Sequence, residues 1–363
     1  MSEHFVVDYG RDKQIKMNIL IELAHPRHYH QFKAVRDIMT QRGNKVILAA
    51  TDRKLLIELL QESSEEFVLF KHTTSGSIIR KTFAYLKRLA YFKRVLDENL
   101  IDVLISKASI STFFGKLVRP GLKTVIFPDS EVVQLTNNFV RYFADLILLP
   151  RIFPLAWTSP KVIRVNGTCE NCYLDPRYFQ PEILDPTKYG YQENEKYAFF
   201  RFVAWKAHHD IGQYGFNSKE RIEIVQLFIE HGYTPLISFE ADPDEELKKY
   251  LNPFPKNKVM SVLTMCEYFV SDSQSMSAEA CLLGLKSFRY NSWVKNDMSN
   301  FKYFNRKKLI LNYDSYPDLY RDLTDSLNGR MDFFQPIASY WDSCDDINMV
   351  ICNSIEQRFG SKK

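Results

Sequence analysis

From Met17 onward, the sequence alternates between two kinds of segment. Short apolar runs rich in β-branched residues, such as Asn18–Leu23 and Lys45–Ala49, are separated by longer amphipathic stretches, such as His28–Gln41. The short runs predict buried strands, and the longer stretches predict helices that cover them. Regular alternation of this kind predicts an α/β protein with doubly wound, Rossmann-like parallel sheets.

The alternation occurs twice, and a polar segment with two prolines separates the two rounds. Such a segment is typical of a linker between domains. We therefore expect two domains that face each other across a cleft, followed by a C-terminal helix that crosses back to the first domain. The expected parts are an N-terminal extension 1–16 (unless Met17 is the true start), a first domain 17–180, a linker 181–195, a second domain 196–335 and a C-terminal segment 336–363.

The predicted strands are the short apolar runs of each round. Those of the first domain are Asn18–Leu23, Lys45–Ala49, Phe67–Phe70, Asp102–Ser106, Lys123–Phe127, Asp145–Leu149 and Val162–Val165. Those of the second domain are Tyr197–Val203, Thr234–Phe239, Glu267–Ser271, Lys286–Tyr290 and Lys308–Leu311.

Composition excludes several classes of protein. With 363 residues and 45% hydrophobic content, the chain can bury two cores, and its net charge of +4 is too small to indicate general nucleic-acid binding. No uncharged apolar run reaches the roughly 20 residues of a membrane-spanning helix, and the first sixteen residues do not resemble a secretion signal. We expect a cytoplasmic protein whose six cysteines are reduced, with neither a metal nor a cofactor.

The most informative motif runs from Tyr268 to Gly284. An apolar strand ends at Ser271, and a helix of small residues begins near Ser275, so its free amides would point into the cleft and favour phosphate. Glu279 lies one turn deeper, where a carboxylate could accept hydrogen bonds from ribose hydroxyls. The alternative is an ordinary helix that Ser273 or Ser275 caps and that leaves Glu279 exposed.

Candidate acid and base residues follow the strands of the first domain. His25, His28 and His30 come after the first strand, and a histidine can act as a base because its pKa lies near neutrality. Asp129 and Glu131 follow the fifth strand, so one could serve as the base while the other orients a sugar hydroxyl. The alternatives are capping and packing roles for the histidines and a solvated turn for the carboxylates.

Basic residues follow the first strand of the second domain. Arg201 and Lys206 could neutralise a departing diphosphate, and His209 is a further catalytic candidate. The alternative is a structural loop with Trp205 packed at the domain interface.

The predicted helix 78–96 lies in a stretch without acidic residues. Arg80, Lys87 and Arg94 recur at heptad spacing, so they form a basic stripe opposite an apolar face. Such a helix could lie on an anionic membrane surface, or it could cover the sheet with a solvated basic face.

Three segments resemble known families: His25–Phe32, Arg201–Gly212 and Asp272–Gly284. The last resembles the nucleotide-binding strand, turn and helix of GT-B glycosyltransferases and of the UDP-N-acetylglucosamine 2-epimerase superfamily. More closely, the chain resembles an uncharacterised bacterial and archaeal family of predicted GT-B-like glycosyltransferases, catalogued as a domain of unknown function. The resemblance covers about Met17 to Asn312.

The resemblance implies a nucleoside-diphosphate sugar bound mainly by the second domain. Its phosphates would lie at Ser273, Gln274, Ser275 and Met276, and its ribose at Glu279. His209 takes the position at which the epimerases use a catalytic or phosphate-contacting histidine.

These observations predict a metal-independent GT-B-like glycosyltransferase. It would move a sugar from a nucleoside-diphosphate donor, UDP above all, to a cell-surface glycan or lipid-linked acceptor, working in the cytoplasm or at the inner face of the membrane. One alternative is an enzyme like the non-hydrolysing UDP-N-acetylhexosamine 2-epimerases, although their histidine-glutamate and histidine-arginine-glutamate-asparagine runs are not reproduced here. A second alternative is a non-catalytic nucleotide-sugar-binding protein.

Overall fold

Helices and parallel strands alternate throughout the computed structural model. It describes residues 17–70, 78–128, 130–131, 134–192, 195–204, 213–331, 334 and 336–360, with the backbone alone for 78–86, 88 and 134. The predicted extension 1–16 therefore lies outside the described residues.

The first sheet has seven parallel strands in the order β3-β2-β1-β4-β5-β6-β7. Its strands are apolar on both faces because helices cover both, and β6 is buried at every position. The strands are β1 Asn18–Leu23, β2 Lys45–Thr51, β3 Phe67–Phe70, β4 Val103–Ser106, β5 Lys123–Ile126, β6 Leu146–Pro150 and β7 Val162–Val165.

Alternate residues of each strand point to opposite faces, so the helices form two layers. Ile19 and Ile21 of β1 share a core with α1, and Leu20 between them shares another with α3. The helices of this part are α1 Pro26–Gln41, α2 Lys54–Glu62, α3 Ile78–Glu98, α4 Ser111–Val118, α5 Gln134–Val140 and α6 Asn171–Leu174.

The second sheet has five parallel strands in the order β12-β11-β10-β8-β9, so β10 lies at its centre. The strands are β8 Lys196–Phe202, β9 Tyr233–Phe239, β10 Cys266–Ser271, β11 Lys286–Tyr290 and β12 Ile310–Tyr313. The helices are α7 Ser218–Glu230, α8 Val259–Leu263, α9 Ser275–Leu282, α10 Ser299–Arg306, α11 Tyr316–Leu327, α12 Ile337–Trp341 and α13 Ile347–Phe359.

The last helix returns to the first sheet. Ile351 and Ile355 of α13 are buried in the same core as Val35 of α1, and Arg42 forms an ion pair with Glu356 at 2.6 Å. None of the helices among the described residues is long and apolar enough to cross a membrane.

The predicted strands agree with the observed ones to within two residues at each end. The sequence also predicts a helix over 244–250, and the structure has a 3-10 helix there, Glu245–Tyr250. The sequence-based predictions did not include α5, α6, α8, α10 and α11. α10 buries only Phe301 and Phe304, so its apolar period is too short to indicate a helix.

Candidate functional site

The site forms where β10, the central strand of the second sheet, ends at Ser271. The next residue, Asp272, is buried, and its carboxylate accepts hydrogen bonds from the amides of Val203 (2.9 Å) and Phe216 (3.2 Å). The amide of Ser273 donates to Ser271 Oγ at 2.8 Å. These contacts fix the turn before α9 against the chain that follows β8.

α9 begins without a side-chain cap. Gln274 occupies the N-cap position in a right-handed helical conformation, and its side chain makes no capping hydrogen bond. Among the described residues, neither the Ser273 nor the Ser275 hydroxyl accepts a hydrogen bond from an amide of the first turn, and the Ser273 carbonyl accepts from Ser277 Oγ at 2.5 Å. The amides of Ser275 and Met276 therefore have no acceptor among the described residues, as at an anion-binding helix start.

Glu279 lies one turn into α9 and is 8% exposed, so the alternative of an exposed glutamate is wrong. Its Oε1 accepts a hydrogen bond from the Tyr173 hydroxyl at 2.7 Å. Burial raises the pKa of Glu279 to about 7, and the nearby Arg27 guanidinium and the Tyr173 hydrogen bond oppose that rise. The carboxyl is therefore poised to change charge near neutral pH.

Arg27 links the two halves of the molecule at this point. It is the second residue of α1, and its guanidinium forms an ion pair with Glu170, a carboxylate only 2% exposed. Glu279 also acts electrostatically on Arg27. Arg27 Nε has no hydrogen-bond partner among the described residues. We call Arg27, Glu170, Tyr173 and Glu279 the interface cluster.

The predicted histidines lie at the start of α1, beside this cluster. His25 is the N-cap residue, and its Nδ1 accepts from the Arg27 amide at 3.2 Å. His28 Nδ1 accepts from the Ala24 amide at 3.2 Å. Burial, together with Lys33 and His25, lowers the pKa of His30 to about 4. His25 and His28 thus make the capping contacts of the alternative interpretation.

Glu131 reaches from the first half of the molecule to the second. It is buried, and its Oε1 accepts from the amide of Ser299, the first residue of α10, at 2.6 Å. Its Oε2 has no hydrogen-bond partner among the described residues. The alternative of a solvated turn is therefore wrong for Glu131, and Asp129 lies outside the described residues.

Arg201 lies at the expected edge of the second sheet but is engaged with a neighbouring strand. Its guanidinium donates to Ser238 Oγ at 2.7 Å and forms an ion pair with Glu240. Lys206 and His209, the other two basic candidates of this segment, lie outside the described residues.

An apolar cavity of about 50 Å³ opens on the first-domain side, beside the end of β1. Glu22 lies at its polar end and accepts hydrogen bonds from the Ser109 and Ser111 hydroxyls, the latter at 2.6 Å. The apolar wall consists of Leu20, Ala49, Phe70, Leu89, Phe92, Ile110 and Phe114.

Sequence reasoning missed three members of the interface cluster: Arg27, Glu170 and Tyr173. Arg27 lies within the segment that carries the family resemblance, which is a usable signal. Glu170 is the N-cap residue of α6 and Tyr173 lies within that helix, and only packing brings them to Glu279.

No protein-family model matches the sequence, and no curated protein matches it. The more specific resemblance to a family of unknown function therefore lacks support from a family model. Solved structures do resemble the chain. The UDP-GlcNAc 2-epimerase of Neisseria meningitidis bound to UDP-GlcNAc has a TM-score of 0.64 at 9% identity, covering 94% of this chain and 100% of the other.

Glycosyltransferases resemble it as well. The spinosyn rhamnosyltransferase SpnG complexed with thymidine diphosphate has a TM-score of 0.58 at 13% identity, covering 94% of this chain and 100% of the other. MurG of Acinetobacter baumannii has the same TM-score of 0.58 and the same identity of 13%, and the match covers 94% of this chain and 99% of MurG. The chain therefore has the GT-B fold, with parallel sheets of seven and five strands, as the sequence predicted.

Proposed function

We propose that this protein is a GT-B-like glycosyltransferase that uses a nucleoside-diphosphate sugar, with UDP as the preferred nucleotide. The observation that carries the proposal is the uncapped start of α9 with Glu279 one turn deeper. Open amides and the positive end of the helix dipole suit a diphosphate, and an ionised carboxylate suits the two ribose hydroxyls. The similarity to enzymes solved with UDP-GlcNAc and thymidine diphosphate supports the same assignment.

In this proposal the second domain, 196–335, holds the donor. The diphosphate lies at residues 273–276, where Ser275 is exposed and Ser273 is buried. The amides and the helix dipole stabilise the negative charge that develops on the diphosphate as the bond to the sugar breaks. Arg201 and Lys206 add positive charge near the diphosphate. Arg201 forms an ion pair with Glu240, and it has to leave that partner in order to contact the donor.

The first domain, 17–180, holds the acceptor in this proposal. The base that removes the acceptor's proton is one of His25, His28, Asp129, Glu131 and His209. The basic helix α3, of which Lys87 is exposed, supports work at an anionic membrane surface.

Nucleotide binding tests the donor site directly. Thermal unfolding is measured with UDP, GDP, dTDP, CDP and their common sugars, on wild type and on Glu279→Gln. A ligand at 100 times its Kd should add about 2.7 kcal/mol of stability. We expect one nucleotide to stabilise the wild type and the substitution to weaken its binding about 10- to 100-fold, the equivalent of about 1.4 to 2.7 kcal/mol.

The matched control is Glu246→Gln, because Glu246 is an exposed glutamate of the same part of the chain. It should respond to the nucleotide as the wild type does. If no nucleotide stabilises the wild type, or if Glu279→Gln responds as strongly as the control, the donor site is not at α9. If a nucleotide stabilises the wild type and binds Glu279→Gln more weakly, the sugar donor of that nucleotide is assayed for sugar transfer to glycan or lipid-linked acceptors.

An epimerase is the second candidate, favoured by the TM-score of 0.64 to a UDP-GlcNAc 2-epimerase. Incubation with the donor alone in heavy water separates the two activities. Deuterium at C2 of the sugar supports the epimerase. No exchange with any acetamido-sugar donor, together with transfer to an acceptor, supports the glycosyltransferase. A nucleotide-sugar-binding protein without catalysis would give neither.

A further inference from the structure

Two cysteines three residues apart, Cys169 and Cys172, have no role in the proposed function. They form the single C-x-x-C of the sequence. Both are reduced, and both lie in the core that α1 and α13 cover, where they are 2% and 0% exposed. Glu170 lies between them and Tyr173 directly follows, so the pair adjoins two members of the interface cluster.

The backbone brings the two cysteine side chains to the same side of a turn. An amide-to-carbonyl hydrogen bond of 3.2 Å joins Cys172 to Cys169, and the residue pairs before and after it make the same contact at 3.1 Å. Hydrogen bonds of this spacing are those of a 3-10 helix, in which the side chains of residues i and i+3 eclipse each other. Such a turn keeps the two Cα atoms within about 7 Å, and a disulfide joins Cα atoms about 4.4 to 6.8 Å apart. The two sulfurs are therefore within disulfide range.

A lysine distinguishes one thiol from the other. Lys107, the residue after β4, donates a hydrogen bond from Nζ to Cys169 Sγ at 3.1 Å. An ammonium at this distance favours the thiolate, which is the form of cysteine that attacks an oxidant. Cys172 has the opposite surroundings: burial, reinforced by the charge on Cys169, raises its pKa well above the usual range, although Lys107 opposes that rise. One sulfur is thus prepared for attack, and the other keeps its proton.

Lys107 is held in this position by further contacts. Its Nζ also donates to Gln31 Oε1 and lies 5.4 Å from the centroid of the Phe127 ring. The Pro128 carbonyl oxygen lies 3.7 Å from Cys169 Sγ. Lys107 and Phe127 directly follow β4 and β5, so the sulfur lies at the carboxyl edge of the first sheet. Its slight exposure admits a small oxidant such as hydrogen peroxide and excludes a bulky one.

We propose that Cys169 and Cys172 form a reversible disulfide on exposure to a peroxide, and that Lys107 promotes this reaction. The Cys169 thiolate attacks one oxygen of hydrogen peroxide and the O–O bond breaks, so that, with one proton taken up, a sulfenic acid and water form. The Cys172 sulfur then attacks the sulfenic sulfur. The S–S bond forms, and the hydroxyl leaves with the Cys172 proton as a second water. Two thiols and one hydrogen peroxide thus give one disulfide and two waters.

This modification goes beyond the proposed function, because it needs neither a donor nor an acceptor. The disulfide constrains the turn that carries Glu170 and Tyr173, and it draws the Cys169 sulfur away from Lys107. Glu170 binds Arg27, and the Tyr173 hydroxyl binds Glu279. Oxidation therefore acts on the turn that joins the two halves of the molecule, and a thiol reductant reverses it.

Mass mapping of the oxidised full chain tests the proposal. The native protein is treated with hydrogen peroxide, the remaining thiols are blocked with N-ethylmaleimide in denaturant, and the peptides are analysed with and without dithiothreitol. We expect a disulfide between Cys169 and Cys172 that dithiothreitol removes. Cys266 and Cys281 are the internal controls, because both are buried and both donate to backbone carbonyls. They should oxidise about tenfold more slowly or not at all.

Substitutions of Lys107 test the role of its ammonium group. Lys107→Met removes the charge but keeps an unbranched apolar side chain, and it should slow disulfide formation about tenfold. Lys107→Arg keeps the charge and should restore most of the rate. The matched control is Lys123→Met, at an exposed lysine of β5, which should react as the wild type does. Thermal unfolding of each variant shows that it is folded.

Two cysteine variants test the order of the steps and do not depend on Lys107. Cys172→Ser should stop at a sulfenic acid on Cys169, which dimedone labels, whereas Cys169→Ser should give no label. Three results would each overturn the proposal: native Cys169 and Cys172 that stay reduced in peroxide, control cysteines that react as fast, or a folded Lys107→Met that reacts at the wild-type rate. A product that joins Cys169 to Lys107 through an oxygen atom would overturn it as well.

Nucleotide binding separates this modification from the proposed function. A disulfide that forms in a protein without any thermal response to nucleotides supports the modification and counts against the proposed function alone. A clear nucleotide response in a protein whose two thiols resist peroxide has the opposite meaning.

Discussion

Two helices begin at the cleft, α1 after β1 and α9 after β10, and their first turns differ. α1 starts with Pro26 and is capped by His25, whose Nδ1 accepts the Arg27 amide. α9 starts after Gln274 with no side-chain cap. Because an uncapped helix start leaves amides without acceptors, the proposed diphosphate site is at α9 and not at α1. The same local structure thus supports the architecture on one side of the cleft and favours ligand binding on the other.

The charged side chains near the starts of these two helices repeat this contrast. On α1, Arg27 is held by the buried Glu170. On α9, Glu279 is buried, its carboxylate accepts a hydrogen bond from the Tyr173 hydroxyl, and its pKa is raised to about 7. Burial of a carboxylate costs stability, and such a cost is typical of functional residues. The comparison predicts that substitutions at α1 mainly change folding, and substitutions at α9 mainly change ligand binding.

The largest expected effect is on the α1 side. Arg27→Ala should lower the free energy of unfolding by about 3 to 5 kcal/mol, because it leaves Glu170 buried without its partner. Urea denaturation measures this change. The control is Arg330→Ala, since Arg330 is 72% exposed and pairs loosely with Asp325 at 3.8 Å, and it should cost less than about 1 kcal/mol. Equal costs would show that the α1 contact is not structural.

The next effect is the pH dependence of Glu279→Gln. The pKa of Glu279 is raised from 4.5 to about 7 in the folded protein, so the folded state binds a proton more tightly than the unfolded state does. Stability is therefore lost as pH rises from about 4.5 through 7, by up to about 3 kcal/mol at pH 8. Glutamine carries no such charge. We expect the variant to unfold at a higher urea concentration than wild type at pH 8 and at a similar one near pH 4.

This prediction sharpens the comparison because the same substitution weakens nucleotide binding while it stabilises the fold. Parallel stability curves for wild type and Glu279→Gln between pH 4 and pH 8 would mean that Glu279 is not under electrostatic strain. The contrast between α1 and α9 would then rest on capping alone.

The smallest effect is at His25. Loss of the cap in His25→Ala should cost about 1 kcal/mol, whereas His25→Asn should restore most of it, because asparagine is a good N-cap residue. Thermal unfolding measures both, and the response to nucleotide should be unchanged in each. If His25→Asn folds normally but abolishes sugar transfer, His25 acts on the reacting atoms, and the division of roles between α1 and α9 fails.

Much of the fold could be predicted from the sequence, since strand identity depends on local composition. β1 and β11 were predicted at their observed limits, because each is a short apolar run ended by polar residues. The start of α9 was predicted near Ser275, where it is observed, because a run of small residues follows the polar turn after β10. α10 could not be predicted, although its first amide binds Glu131, because eight residues with two buried phenylalanines carry no clear period.

The sequence by itself determined two rounds of strand and helix, the turn after β10 and the presence of a carboxylate one turn into α9. These features depend on residues close together in the chain. Only the tertiary structure decided that Glu279 is buried beside Tyr173 and Arg27, which lie 106 and 252 positions away. The physical reason is that burial and long-range charge set the pKa of a carboxyl group, and both arise when distant segments pack together.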